Sequence, residues 1–283
     1  MKLVSFKTAG ESSFGLIQGD GVIDAGKRLG PAFPSLKSVL AAGALDTLRA
    51  LEFRSVDHPL FAIEFEPVIV DPQKILCIGV NYMKHQQEMG RPKPPYPMIF
   101  VRFPNSHVGH GQPMVRPLAS ENFDYEGELA LIIGKPARRI PKERAYDIIA
   151  GYSCFNDGSV RDWQNHTGQF TPGKNFAKSG SFGPWMVTSD EFGDPNSRTL
   201  QTRLNGRIMQ DTPISDLMFD IPALIEYITT FTELLPGDVI STGTPGGVGA
   251  ARNPPVWMKP GDTIEVEISG IGTMKNPIAG EQL

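Results

Sequence analysis

The chain has 283 residues, 40% of them apolar and 20% charged, an ordinary composition for one large globular domain or a large one with a small companion. A net charge of −4 and a pI near 5.8 offer no basic field to phosphate backbones, which argues against nucleic acid as a partner. Thirty glycines and 25 prolines, about a fifth of the chain, favour short strands and many turns over long helices.

Residues 1–70 differ in character from the rest. Leu3 to Phe6 and Gly15 to Gln18 read as strands, Gly19-Asp20-Gly21 as a tight turn and Val22-Ile23 as the returning strand. Ser35 caps a predicted helix to about Leu51, with Leu36, Val39, Leu40, Leu48 and Leu51 supplying its apolar stripe. This segment carries few chemical groups and reads as a small α/β accessory domain, with Val56 to Pro72 as linker. Residues 71–283 form the second, larger domain of the expected division.

From Gln73 onward short apolar strands alternate with glycine and proline turns. Lys74 to Gly79, Met98 to Phe103, Leu129 to Ile133, Trp185 to Thr188 and Val239 to Thr242 are predicted strands. Asn81 to Glu88 has helix-compatible composition, and Ile221, Leu224, Ile225 and Ile228 recur at helical spacing, predicting a helix over 221–232. The expected fold class is α+β, mainly β.

Cys77 and Cys154 lie in apolar contexts and read as small core residues, with no disulfide framework. The amino terminus lacks a sustained apolar segment and no run approaches the length of a membrane span, so a cytoplasmic location is expected and no membrane partner. Asn165-His166-Thr167 matches a glycosylation sequon, but nothing sends the chain along a secretory route.

The most informative stretch is Phe123-Asp124-Tyr125-Glu126-Gly127-Glu128-Leu129, which sets two carboxylates two residues apart at the mouth of an apolar run. On a strand, positions i and i+2 share a face, so Glu126 and Glu128 can converge on one cation. Asp157 can close such a site, and carboxylate oxygens suit Mg²⁺, Mn²⁺ or Ca²⁺. His85 and Glu88, three apart, would share one face of a helix, and a histidine held by a carboxylate is a plausible base for activating water, although the spacing alone favours a solvated surface pair. Arg161, Gln164 and Lys174 follow Asp157 in a glycine-rich region and suit a carboxylate-bearing small molecule beside a cation, since arginine can grip a carboxylate through two hydrogen bonds.

Other constellations are weaker. The run Ser241 to Gly249 lacks the Gly-Lys-Ser/Thr ending of a phosphate loop, although its turn can offer backbone amides and the Thr244 hydroxyl to a ligand. His107 and His110 have no further histidine or cysteine at zinc spacing. No Gly-X-Ser-X-Gly elbow supports Ser-His-Asp catalysis.

Taken together and in order, Lys74-Ile75-Leu76-Cys77-Ile78-Gly79-Val80-Asn81-Tyr82, Asp124 to Leu129, Asn156 to Gln164, Gly173-Lys174-Asn175-Phe176 and Thr242 to Gly249 resemble the fumarylacetoacetate hydrolase family. The resemblance covers residues from about Gln73 to the end. It implies a mixed β-sheet rolled on itself behind a small amino-terminal domain, in a homodimer. It also implies a divalent cation, Mg²⁺ or a similar ion, held by Glu126, Glu128 and Asp157. His85 and Glu88 match the family's water-activating pair, Lys174 its catalytic lysine, Arg161 and Gln164 its substrate contacts and Thr244 a ligand-binding position.

The expected activity is hydrolysis of a carbon–carbon bond in a 1,3-diketo acid such as an acylpyruvate, within aromatic or sugar-acid catabolism. Decarboxylation of a 2-oxo acid such as oxaloacetate and isomerisation of a dienoic acid are the alternatives on the same fold. A metal- and carboxylate-binding protein without catalysis is disfavoured by the joint presence of His85, Glu88 and Lys174. The chain departs from the family pattern at Ala177, where aspartate is usual, and at Arg102, where lysine is frequent.

Overall fold

The computed structural model describes residues 1–83 and 94–282. A 12-stranded mixed sheet dominates. At its centre Gly127–Ile133 pairs antiparallel with Ile149–Asn156 on one side and Val239–Ser241 on the other. Ile75–Gly79 adds in parallel to Val239–Ser241, and Met98–Val101 forms the edge beyond it. In the other direction Gly180–Thr188 joins Ile149–Asn156 to Lys2–Thr8, so the amino-terminal strands continue the same sheet. A second sheet of five strands contains Thr199–Leu204, Arg207–Pro213, Thr263–Ile268, Gly272–Gly280 and Met114–Arg116.

The central strand explains the layering. Leu129, Leu131 and Ile133 point to one face and meet Leu200, Val266, Ile268 and Met274 of the second sheet, together with Leu224 and Ile228 of the helix Ile221–Phe231. Ala130 and Ile132 point to the other and pack with Leu36, Val39, Leu40 and Leu48. Both sets are fully buried, and period-two alternation splits one apolar run between two cores. Each such Leu or Ile contributes roughly 1.5–3 kcal/mol by leaving water. The expected mainly-β α+β class describes this architecture.

The predicted 35–51 helix is instead two short helices, Leu36–Ala41 and Leu45–Arg49. Ser35 caps the first through a reciprocal pair with Ser38, but Gly43 takes φ +63°, a conformation that ends a helix at little cost for glycine. The 56–72 stretch is also tied to the sheet, since Glu64–Phe65 pairs with Lys2–Thr8 and His58–Pro59 with Gly21–Asp24. Cys77 and Cys154 are buried and unpaired, as their apolar contexts suggested. No helix among the described residues is long and apolar enough to cross a membrane.

Candidate metal centre and active site

The two glutamates do not share an unbroken strand. Phe123–Asp124 pairs with Ser159–Val160 in a separate two-stranded sheet, and Gly127 begins the central strand, so Glu126 stands at the crossing between them. Gly127 makes that crossing feasible, because a Cβ there would lie 2.1 Å from Thr202 Oγ1 of the second sheet. Asp157 follows directly on the strand Ile149–Asn156, and its amide donates to the Glu126 carbonyl at 2.9 Å. Gly158 is packed as tightly, with a Cβ placed 1.9 Å from the Ser179 carbonyl.

These constraints gather one carboxylate oxygen each from Glu126, Glu128 and Asp157 within 4.8 Å of one another, all three residues buried. Lys174, at the end of the short helix Thr171–Lys174, donates to Glu126 Oε2 and Asp157 Oδ2 at 2.6 Å each. Arg161 Nε donates to Asp124 Oδ2 at 2.9 Å, and its Nη2 stands 2.6 Å from Glu126 Oε1. Gln164 accepts from Arg161 Nη1 at 2.9 Å. Asp124 is anchored in turn by the amides of Gly249 and Ala250.

The two glutamates therefore titrate in opposite senses. Burial would raise Glu126, but the charges of Arg161 and Lys174 outweigh it and hold the carboxyl at about 2. Burial pushes Glu128 well above the usual carboxylate range, and the charges of Asp157 and Glu126 add to it. Glu128 accepts from Ser241 Oγ and from the Gly243 amide, yet among the described residues it has no cationic partner. Burial alone would lower Lys174, but Asp157 and Glu126 raise it, so the side chain is an ammonium donor at neutral pH.

This donor set fits a hard divalent cation: three carboxylates converge, and a buried carboxylate without its own cation is costly unless charge is supplied beside it. Glu126 and Glu128 line a cavity of about 400 Å³ together with Arg161, Gln164, Lys174 and Thr244, while Asp157 is fully buried. Thr244 Oγ1 donates to the Gly127 carbonyl at 2.9 Å and accepts from Gln210 Nε2 at 2.8 Å. His85 and Glu88 lie outside the described residues.

Several groups at the site were not singled out for it by sequence pattern. Arg102, noted as a departure, donates to Asp157 Oδ1 at 2.6 Å, Ser179 Oγ at 2.8 Å and the Gly158 carbonyl at 3.0 Å. Asp124 and Gln210 fix Arg161 and Thr244, and Asn81 ties Thr242 to Phe219. Of these, Asp124 and Asn81 lay inside motifs that drew attention. His107 is buried against the Phe155 ring at 4.6 Å and pushed towards the neutral form by burial, then by Arg102. Neither His107 nor His110 joins a ligand cluster among the described residues.

Comparison with known proteins agrees with this arrangement. Residues 74–279 match the family model of the fumarylacetoacetate hydrolase carboxy-terminal domain. Oxaloacetate tautomerase YisK of Bacillus subtilis is 39% identical over 231 residues, covering 80% of this chain and 77% of that protein. The fumarylacetoacetate hydrolase of psychrophilic Exiguobacterium antarcticum superposes with a TM-score of 0.85 at 32% identity, over 99% of this chain and all of that one. The maleylpyruvate hydrolase of Sphingobium sp. SYK-6, solved with manganese(II) and pyruvate, superposes at 0.84 with 28% identity over the full length of both. The chain belongs to the fumarylacetoacetate hydrolase family of enzymes.

Proposed function

We propose that this enzyme acts on a 2-oxo carboxylic acid through its enolate, and that its reaction is hydrolytic cleavage of the carbon–carbon bond between the acyl and pyruvate parts of an acylpyruvate. The observation that carries the reading is the convergence of Glu126, Glu128 and Asp157, with Glu126 and Glu128 lining the same cavity as Arg161 and Lys174. In this reading Glu126, Glu128 and Asp157 hold a divalent cation, Mg²⁺ or Mn²⁺, which when bound supplies Lewis acidity towards the substrate oxygens.

The protein's own groups do the rest. Arg161, fixed by Asp124 and Gln164, presents a planar fork to the substrate carboxylate. Lys174 stays protonated and stabilises the negative charge that develops on the 2-oxo oxygen; an ammonium held by two carboxylates is a poor base. The base is then His85, oriented by Glu88. It takes a proton from water as the water oxygen bonds to the acyl carbonyl carbon. The C3–C4 bond breaks, its electron pair passes into the pyruvate enolate, and protonation at C3 releases pyruvate and the carboxylic acid. Thr244 helps line the ligand pocket. Residues 71–283 form the catalytic unit, 1–70 the accessory one, and the working form is a homodimer.

A second reading, keto–enol interconversion of oxaloacetate, is favoured by the Bacillus subtilis relative, an oxaloacetate tautomerase, and decarboxylation of oxaloacetate would pass through the same enolate. Both readings share an enolate, so they share a test. With Mg²⁺ or Mn²⁺ bound, the enzyme should exchange the C3 protons of pyruvate for deuterium, followed by NMR. A panel of acylpyruvates and oxaloacetate, with products identified by mass, then separates the reactions. No metal-dependent exchange and no turnover of any panel member would overturn the proposal.

A further inference from the structure

The acid-binding cluster and the remainder of the cavity differ in kind. Among the described residues the charged groups are confined to one connected cluster, in which the carboxylates of Asp124, Glu126, Glu128 and Asp157 meet the cations of Arg102, Arg161 and Lys174. Each cation already faces at least one carboxylate, so none stands apart to receive a second anionic group. A second carboxylate on the ligand would find no separate cation among the described residues of the cavity, and burying it unpaired is costly.

Apart from the uncharged polar side chains of Gln164, Asn165 and Thr244, the rest of the wall is apolar. Ile78, Val80, Met98 and Phe100 come from the strand Ile75–Gly79, its exit and the edge strand Met98–Val101. Phe170 packs edge-on to Phe100, with ring centroids 5.7 Å apart. The Phe100 ring also faces the Lys174 ammonium at 4.9 Å, so the apolar wall begins where the cationic cluster ends. Val248, Ala250 and Ala251 also line the cavity without adding a charge. A cavity of this kind orients its ligand by a few polar groups at one end and gains affinity by burying apolar surface along the rest.

We propose that the substrate is a monocarboxylate whose arm beyond the 2-oxo acid head is uncharged and apolar, an alkyl or aryl acyl group rather than a second acid. This rests on the proposed 2-oxo acid chemistry of the site. Equilibrium binding to the metal-loaded protein, by calorimetry, compares three probes. These are pyruvate as the head alone, 5-methyl-2-oxohexanoate as head plus apolar arm, and 2-oxoglutarate as an arm of similar shape ending in a carboxylate. The apolar-arm acid should bind about tenfold or more tighter than 2-oxoglutarate, and tighter than pyruvate.

Met98 is 42% exposed on the edge strand, so Met98→Lys places a cation on the apolar wall with little risk to folding. It should narrow the preference by raising affinity for 2-oxoglutarate. Equal or tighter binding of 2-oxoglutarate by the parent protein overturns the inference. A preference left unmoved in Met98→Lys overturns its assignment to this wall. If metal fails to promote binding of any of the three, including pyruvate, the 2-oxo acid reading itself falls, an outcome distinct from the other two.

Discussion

Arg102 and Asp157 form a fully buried ion pair, Nη1 to Oδ1 at 2.6 Å, in which the arginine aims one of the three clustered carboxylates. The same guanidinium reaches Ser106, Ser179 and the Gly158 carbonyl, so it clamps the turn that carries Asp157. Arg102→Met leaves Asp157 buried with only Lys174 opposite it and should cost about 3–5 kcal/mol of stability, read as a lower denaturation midpoint. Arg102→Lys keeps the charge but not the fork, and should recover only part of the loss. Parent-like stability of Arg102→Met would show that Lys174 alone satisfies Asp157.

Glu126 and Glu128, two residues apart, should respond to neutralisation in opposite ways in metal-free protein. Glu126 is held at about 2, so its contribution to stability is present above the ordinary value of 4.5 and is lost as pH falls towards 2. Glu126→Gln should therefore destabilise at neutral pH, by on the order of 3 kcal/mol, and the difference should shrink in acid. Glu128 is raised, so the parent loses stability as pH rises through the folded-state value, and Glu128→Gln removes that loss. The neutral amide should leave metal-free protein as stable as the parent or more so, increasingly with pH, while weakening metal binding. Denaturation curves at several pH values check both signs, and a Glu128→Gln variant that binds metal as tightly as the parent would remove Glu128 from the ligand set.

Much of this was legible in the sequence because the signals were local. The apolar run Leu129 to Ile133 announced a strand buried on both faces, and the spacing of Ile221, Leu224, Ile225 and Ile228 matched the helix Ile221–Phe231. Glu126, Glu128 and Asp157 drew attention as carboxylates beside apolar runs, which is a local anomaly of charge. What stayed hidden was set by long-range pairing. That Glu126 sits between two sheets depends on Thr202 pressing against Gly127, and nothing near either residue encodes that contact. Arg102 looked like a simple departure because its partners, Asp157, Gly158 and Ser179, lie more than fifty residues away. The break at Gly43 was readable in principle, but the Leu36 to Leu51 stripe outweighed one glycine.

Arg161 is held on one side by Asp124 and Glu126 and by Gln164 on another. A lysine there would keep the charge near Glu126 but would lose the contacts to Asp124 and Gln164 that fix a planar fork. Arg161→Lys should raise KM for 2-oxo acids about ten- to a hundredfold, the loss of one charge-assisted hydrogen bond, with a smaller change in kcat. Steady-state kinetics on one acylpyruvate with saturating metal decides it. Unchanged KM and kcat would make Arg161 a structural partner of Asp124 and Glu126 alone.

His85 separates hydrolysis from chemistry that needs only the enolate. Carbon–carbon hydrolysis requires a nucleophile made from water, whereas enolate formation by loss of CO₂ draws on the carboxylate-binding groups and the charge at the 2-oxo oxygen, functions assigned here to Arg161 and Lys174. His85→Ala should then lower acylpyruvate cleavage by about 10²–10⁴, the usual range for removing a general base. Decarboxylation of oxaloacetate, wherever the parent shows it, should fall much less. Following pyruvate formation from an acylpyruvate and CO₂ release from oxaloacetate in the same metal-loaded variant gives the ratio directly. A matched loss in both reactions would give His85 a part in reaching the enolate as well as in activating water. Full retention of cleavage would remove it from the mechanism and leave Lys174 and Arg161 to act with some other base.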